Sequence, residues 1–409
     1  MRRSRVTKGD RVARRSARGT PQWLGAVNDR ATLEALLDFG SLTRNRICEI
    51  VDVSKPTATV IVGRLLDEQL IREEGRASGS SGPSAVVYGP RLDRALGLAI
   101  DLDHRELRAS IVDAVGSALS YVEIERSDAA GGRSAAAEVT AALTQAVAAA
   151  GCSPEAVTTA CVGIPGYLEP GAQGRLRADA LPEWPTTGLR AELEDALGMP
   201  VSVENDVDLA ALAERGHGQS PVDDDVVYLW LGNGVGMSFD VDGSAHRGAS
   251  HGAGEIGFVE LSVSAARLAP GAQTVQDLVG GIGVMRLARE SGLDSADYTA
   301  AIESLIASGR FAEVADDFAE RIARVLLPVL AVVDPHLVVI GGPTAQLGGR
   351  RLADDVARIV AQESRWAPHV VTSTLPRPVH DGARMFAAQR VREALLDSVA
   401  HLAGEPTPP

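Results

Sequence analysis

Lys55, Thr57 and Thr59 alternate along one short stretch, with Ser54 before them and Arg44, Arg46 and Arg64 on either side. Short polar side chains beside a lysine, at the start of a helix, can hydrogen-bond base edges in a major groove. Arginines next to such a surface reach phosphates, which positions a protein on DNA without reading sequence. Metal chemistry has less to work with. Cys48, Cys152 and Cys161 are the only cysteines, too few and too scattered for a disulfide framework or a four-ligand zinc site. No metal and no bound cofactor is expected.

The polar stretch needs a helix to hold it. Ala58, Ile61, Val62 and Leu65 recur at i, i+3, i+4 and i+7 and form the buried stripe. Ser54 is the natural cap, and Pro56 is tolerated in the first turn. Ahead of it, a helix from Thr43 buries Ile47, Ile50 and Val51, and Asp52-Val53 makes the turn. A still earlier helix is predicted to start at Asn28-Asp29, to bury Leu33, Leu36 and Leu37, and to stop at Gly40. Two short extended pieces follow, Ile71 to Glu73 and Val86 to Tyr88, separated by the stretch from Arg76 to Ser84. Together these predict a winged helix-turn-helix over residues 23–90. The alternative is a three-helix packing module with a linker.

Charge agrees with a DNA reader joined to a larger soluble domain. The net charge is −14, yet up to Pro90 there are 15 Lys and Arg against 10 Asp and Glu, leaving 25 against 44 beyond it. Residues 1–22 are strongly basic and read as a disordered tail; Gly19-Thr20-Pro21-Gln22 follows the arginines where a signal peptide would be apolar. The longest apolar run, Val325 to Val333, contains Pro328 and is too short to span a membrane. A cytoplasmic protein is expected.

From residue 95 the pattern changes. Leu96 to Asp101, Leu107 to Val112 and Ala118 to Ile124 read as three strands, followed by a helix over about Ser134 to Ala150 and a buried strand, Ala160 to Ile164. Val226 to Leu231 and Val235 to Val241 repeat the theme, with later helices around Val338 to Ile340. Two similar halves predict a two-lobed α/β domain over 95–409 with a cleft between lobes. Lobe one takes about 95–204 plus the C-terminal helix, and lobe two about 205–380.

Several segments here resemble the ROK family of repressors, open reading frames and sugar kinases. They are Gly163-Ile164-Pro165-Gly166, the run from Val203 to Glu214, and the run from Arg247 to Gly257; the first domain, from Asn28 to Ile71, resembles the winged helix of that family's repressors. The resemblance implies an actin-like, hexokinase-type (ribonuclease H-like) fold. It further implies that Gly166 belongs to the sugar side, that Asn205 and Asp206 hold sugar hydroxyls, with the aspartate the base in the kinases, and that Glu255 also binds the sugar. The sequence departs from the family at two places. The family's Asp-x-Gly-x-Thr phosphate turn is matched by Asp101-Leu102-Asp103-His104-Arg105, where a second carboxylate opposes phosphate. The histidine after the Glu motif is Phe258, and the family's cysteine cluster has no counterpart. The glycines of Leu231-Gly232-Asn233-Gly234 and of Gly341-Gly342-Pro343 remain, as turns alone would also require; Asp208 or His251 would serve a different ligand. The expectation is a non-enzymatic DNA-binding repressor of carbohydrate metabolism. Its partners would be double-stranded operator DNA, a small sugar or sugar-derivative effector and further copies of itself, as a homodimer or homotetramer. The alternatives are an ATP-dependent sugar kinase and a regulator that has lost ligand binding.

Overall fold

Pro21 opens the first helix, α1 (Pro21–Phe39), and Gly40, at φ 74°, follows its end. The computed structural model describes residues 21–77, 85–103, 105–126, 134–171, 173–217, 225–241 and 243–401. Most of the basic tail and the expected wing tip, Ser81-Gly82-Pro83-Ser84, lie outside the described residues. The helix therefore starts inside the segment expected as tail, and Asn28-Asp29 is not its cap. Both are interior: Asn28 O accepts from the Thr32 hydroxyl, and Asp29 is buried against Arg64. Residues 22–27 carry no helix breaker except a single glycine, so the helix runs through them and Asn28-Asp29 falls in its interior.

After β1 (Leu42–Thr43), Thr43 caps α2 (Arg44–Val51) by accepting from Arg46 N, and Asp52 closes it at φ 55°. Ser54 caps α3 (Lys55–Asp67) by accepting from Thr57 N. Leu33, Leu36, Ile47, Ile61 and Leu65 are buried together, while Ile50 and Val51 are only partly covered. β2 (Ile71–Ala77) and β3 (Ala85–Pro90) extend further than their apolar residues suggest and pair antiparallel in a sheet ordered β1-β3-β2. Only Ile71 of β2 is buried, so main-chain pairing rather than an apolar face makes it a strand.

The larger part holds two five-stranded sheets of matching design. In the first, β4 (Leu96–Leu102), β5 (Glu106–Val112), β6 (Val122–Glu125), β7 (Val157–Ile164) and β10 (Val201–Asn205) run in the order β10-β7-β4-β5-β6. α4 (Ala135–Ala150), the small pair β8 (Tyr167–Leu168) and β9 (Leu176–Arg177), and α5 (Leu189–Leu197) fill its connections. β6 starts later than the expected Ala118, because Asp113 Oδ1 accepts from the amides of Val115 and Ser117 and holds that stretch as a turn. α6 (Asp206–Gly216) then leads to β11 (Val226–Leu231), β12 (Val235–Val241) and β13 (Ser244–Ala245). Two small helices, α7 (Val263–Ala266) and α8 (Val275–Val279), precede the larger α9 (Gly281–Glu290), α10 (Tyr298–Ser308) and α11 (Phe311–Val333). β14 (Leu337–Gly341), α12 (Pro343–Glu363), β15 (His369–Thr372) and α13 (Pro378–His401) complete the chain, and the second sheet runs β13-β12-β11-β14-β15. In each sheet four strands run the same way and one, β5 or β12, runs against them.

α6 and α13 lie between the sheets. Ala99 and Cys161 from one sheet and Tyr228 and Val339 from the other share a core with Val207, Leu209, Val379 and Ala383 of the two helices. Among the described residues no helix is long and apolar enough to cross a membrane.

Candidate functional site

The cleft is built around the start of α6. Asn205 ends β10 and caps the helix, its Oδ1 accepting from Val207 N at 2.8 Å and Asp208 N at 3.0 Å. Its Nδ2 donates to Gly166 O at 3.0 Å, so the cap also ties β10 to the turn after β7. Gly166, at φ 147°, sits where a Cβ would strike Arg177 O. Only glycine suits that backbone.

Asp206 accepts from Val207 N at 2.8 Å. Burial pushes its carboxyl up to about 8, and Asp101, Glu255 and Asp208 push the same way. The shift favours the protonated form, which has a donor as well as an acceptor. Asp208 accepts from Ser238 Oγ at 2.7 Å, which fastens α6 to β12. One residue along β12, Met237 N donates to Gly254 O at 2.9 Å, and this carries Glu255 to the same place. Burial raises the Glu255 carboxyl too, with Asp179 and Asp208 adding to it. The same loop brings Arg247 to Glu204, at 2.6 Å, and lays Gly252 against the Tyr167 ring. His251 stands in this loop at φ 64°, close enough to Asp208 to favour its charged form. The arrangement thus brings Gly166, Asn205, Asp206 and Glu255 close together.

At the β4–β5 turn the chain satisfies its own backbone donors. Asp103 Oδ1 accepts from the amides of Arg105 at 2.7 Å and Glu106 at 2.9 Å, so the carboxylate takes the backbone donors of the β4–β5 turn. Asp101 is buried against Arg108 at 3.0 Å; burial outweighs that guanidinium and pushes the carboxyl up to about 6. Arg105 reaches across to Asp297, at 3.4 Å, at the head of α10. The glycine turn after β11 is held similarly: Gln276 donates to Asn233 O at 2.6 Å and accepts from Val235 N at 2.9 Å. Tyr298 OH and the Thr344 hydroxyl, 2.9 Å apart, pin α10 to the second glycine turn. Phe258 is 72% exposed, and among the described residues no group of three or more His, Cys, Asp or Glu could hold a metal.

At the N-terminal domain, Ser54, Lys55 and Thr59 are exposed and Thr57 is partly so. Arg46 pairs with Glu49 at 2.8 Å on the surface. Arg44 donates to Tyr88 OH at 2.6 Å with its guanidinium over the ring, which ties α2 to β3. Arg64 forks onto Asp29 at 2.8 and 2.5 Å, and this hydrogen bonding raises its pKa. Sequence reasoning missed the parts played by Asp29 and Tyr88, whose partners lie 35 and 44 residues away. Asp103 was read only as a carboxylate opposing phosphate; its bonds to its own turn amides were missed, although an aspartate two residues before a turn amide is a recognised local acceptor.

Two lobes of matching topology, with carboxylates and a carboxamide at the head of the helix between them, define a sugar-kinase-like scaffold. The chain belongs to the ROK family, whose model matches residues 97–381. It is similar to the xylose repressor of Caldicellulosiruptor bescii, with 24% identity over 244 residues, 60% of this chain and 61% of that one. Among solved structures, a ROK family transcriptional regulator described as a homologue of the E. coli MLC protein has a TM-score of 0.66 at 18% identity, covering 93% of this chain and 98% of its own. A ROK family glucokinase from Streptomyces griseus, in complex with glucose and AMPPNP, has a TM-score of 0.57 at 23% identity over 72% of this chain and the whole of its own. The fold is thus the mixed α/β, actin-like one shared with hexokinase-type domains.

Proposed function

We propose that this protein is a DNA-binding transcriptional repressor whose ROK domain, residues 95–409, senses a sugar or sugar derivative without phosphorylating it. The observation that carries the reading is Asp103 filling the amides of the β4–β5 turn while the hydroxyl-binding side stays assembled. In-line phosphoryl transfer requires a donor held by such amides and a cation, and here a carboxylate occupies them. Asp206 then serves to hydrogen-bond the ligand. The similarity to a xylose repressor supports the regulatory part.

In this reading residues 23–90 form a winged helix-turn-helix. α2, the Asp52-Val53 turn and α3 are the reading unit, and β2 and β3 are the wing. Lys55, Thr57 and Thr59 face base edges. Ser54 orders the head of the helix and Arg46 reaches phosphate. Arg44 and Arg64 contribute the parts of their guanidinium groups not given to Tyr88 and Asp29. Gly166, Asn205, Asp206 and Glu255 hold the effector. Two half-sites on operator DNA call for a homodimer or homotetramer.

Titration calorimetry with a panel of neutral and amino sugars, on wild type and on Asp206→Asn and Glu255→Gln, tests the sensor; binding weakened by both substitutions supports it. An ATP-consumption assay runs alongside. The kinase reading is favoured by the survival of Asp206 in a cleft with two glycine turns, and sugar-dependent ATP turnover at enzyme-like rates would restore it.

A further inference from the structure

α13 belongs to two cores at once. Val379, Ala383 and Ala387 in its first half are buried with Val207 and Leu209 of α6 between the two sheets. Val391, Leu395, Leu396 and Val399 in its second half are buried with Leu33, Leu36 and Leu37 of α1 and Ile61 of α3. Arg30–Asp397 at 2.8 Å and Arg392–Asp38 at 2.5 Å add polar ties at that end. An uninterrupted helix of 24 residues, about 36 Å long at 1.5 Å per residue, joins the two.

The contact with α6 is equally direct. A Cβ on Gly382 would strike Leu209 O, so the two helices meet backbone to backbone three residues after Asp206. At the far end of α6, a Cβ on Gly216 would lie 2.7 Å from the Met385 sulfur. Close-packed surfaces of this kind transmit a displacement instead of absorbing it.

Resting on the reading of the cleft as an effector site, we propose that α13 is the lever through which that site controls the N-terminal domain. A ligand seated at Asn205 and Asp206 shifts α6, α6 shifts α13, and α13 swings α1 to α3 relative to the lobes. The competing route is the connection from Arg91 to Ala95, since Ala95 is also buried in the N-terminal core.

Hydrogen exchange read by mass spectrometry on the full chain tests the lever with neither sugar nor DNA present. Gly382→Ala puts a methyl against the Leu209 carbonyl and wedges α6 away from α13. We expect amides of α1 and α3 to exchange about five-fold faster in this variant. Adding Gln389→Gly and Arg390→Gly, exposed positions between the two cores that hydrogen-bond Glu393 of the same helix, softens the rod. The response in α1 and α3 should then vanish while that in α6 remains. If Gly382→Ala does not fold, Met385→Ala, which removes the α13 side chain packed on Gly216 of α6 and loosens the same pair of helices, is read in its place and should likewise perturb α1 and α3. A response confined to α6 overturns the proposal, and one that survives the glycine pair assigns the coupling to the connection instead. Failure of the sensor reading shows separately, as no protection of α6 by D-xylose, D-glucose or D-glucosamine at millimolar levels.

Discussion

Replacing Asp206 by asparagine removes a group whose folded pKa, about 8, lies far above the usual carboxylate range. A carboxyl raised in the fold contributes stability that is fully present below its unfolded pKa and is lost as pH rises through the folded value. Between about pH 5 and pH 8 the wild type must therefore lose stability on account of Asp206, and the asparagine variant must not. Three pH units at about 1.4 kcal/mol each set a ceiling of about 4 kcal/mol. Asp206 keeps partial access to the cleft, and it shares its proton with Asp101, Asp208 and Glu255, so about 2 kcal/mol is the expected difference. The assay is urea unfolding of both proteins at the two pH values. His380, pushed down to about 3 by burial, titrates in both proteins and largely cancels in the comparison, whereas Asp101, pushed up to about 6 and coupled to Asp206, is part of why the expected difference lies below the ceiling. Asp206→Asn should gain on wild type by that amount at the higher pH. An equal gap between the two proteins at both pH values would refute the argument that Asp206 holds a proton in the folded cleft.

Asp29→Ala should cost about 3 kcal/mol or more if Arg64 cannot find water, and about 1 if it can, since the guanidinium is partly exposed while its partner is buried; thermal melts of Asp29→Ala, Arg64→Ala and the double variant separate the two outcomes, and additive losses would mean that the pair does not interact. Affinity for operator DNA should fall steeply with salt, and Lys55→Ala or Thr59→Ala should each remove about 1–3 kcal/mol of specific binding with little effect on bulk DNA, as gel shifts will show. Purified protein should contain less than stoichiometric zinc by elemental analysis; one zinc per chain surviving a weak chelator would point to His246 and His251. Gly166→Ala should abolish sugar binding in calorimetry and lower the melting temperature, because its φ of 147° and the nearby Arg177 carbonyl leave no room for a methyl. Unchanged binding would place the ligand elsewhere.

Periodicity made the regular elements legible: α3 and its buried stripe, the strands Val226–Leu231 and Val235–Val241, and the alanine-rich α4 stand where the spacing of apolar residues puts them. β2 was only partly legible, since six of its seven residues are exposed and nothing but pairing with β3 holds it extended. The start of α1 was misjudged because Asn28-Asp29 has the composition of a cap, and only the distant Arg64 reveals that Asp29 faces a neighbour instead. At the cleft, Asn205 and Asp206 could be located from their motif, but no residue-type argument shows that Asp206 is ringed by carboxylates from β4, from its own helix and from the loop after β13. That is a property of chain crossings. The same holds for α13, whose mean pattern of apolar residues is blurred because it presents different faces to two different cores.

On the proposed sensor reading, the carboxylate of Asp103, seated on the amides of its own turn, would separate this scaffold from the energy state of the cell. A two-lobed domain that kept those donors free would be loaded with nucleotide whenever nucleotide is plentiful, and the balance between its open and closed forms would answer to two ligands at once. In the reading proposed here the turn is filled from within, and a rise or fall in ATP would have no partner there. Such a receptor would report how much sugar is present and not how well fed the cell already is.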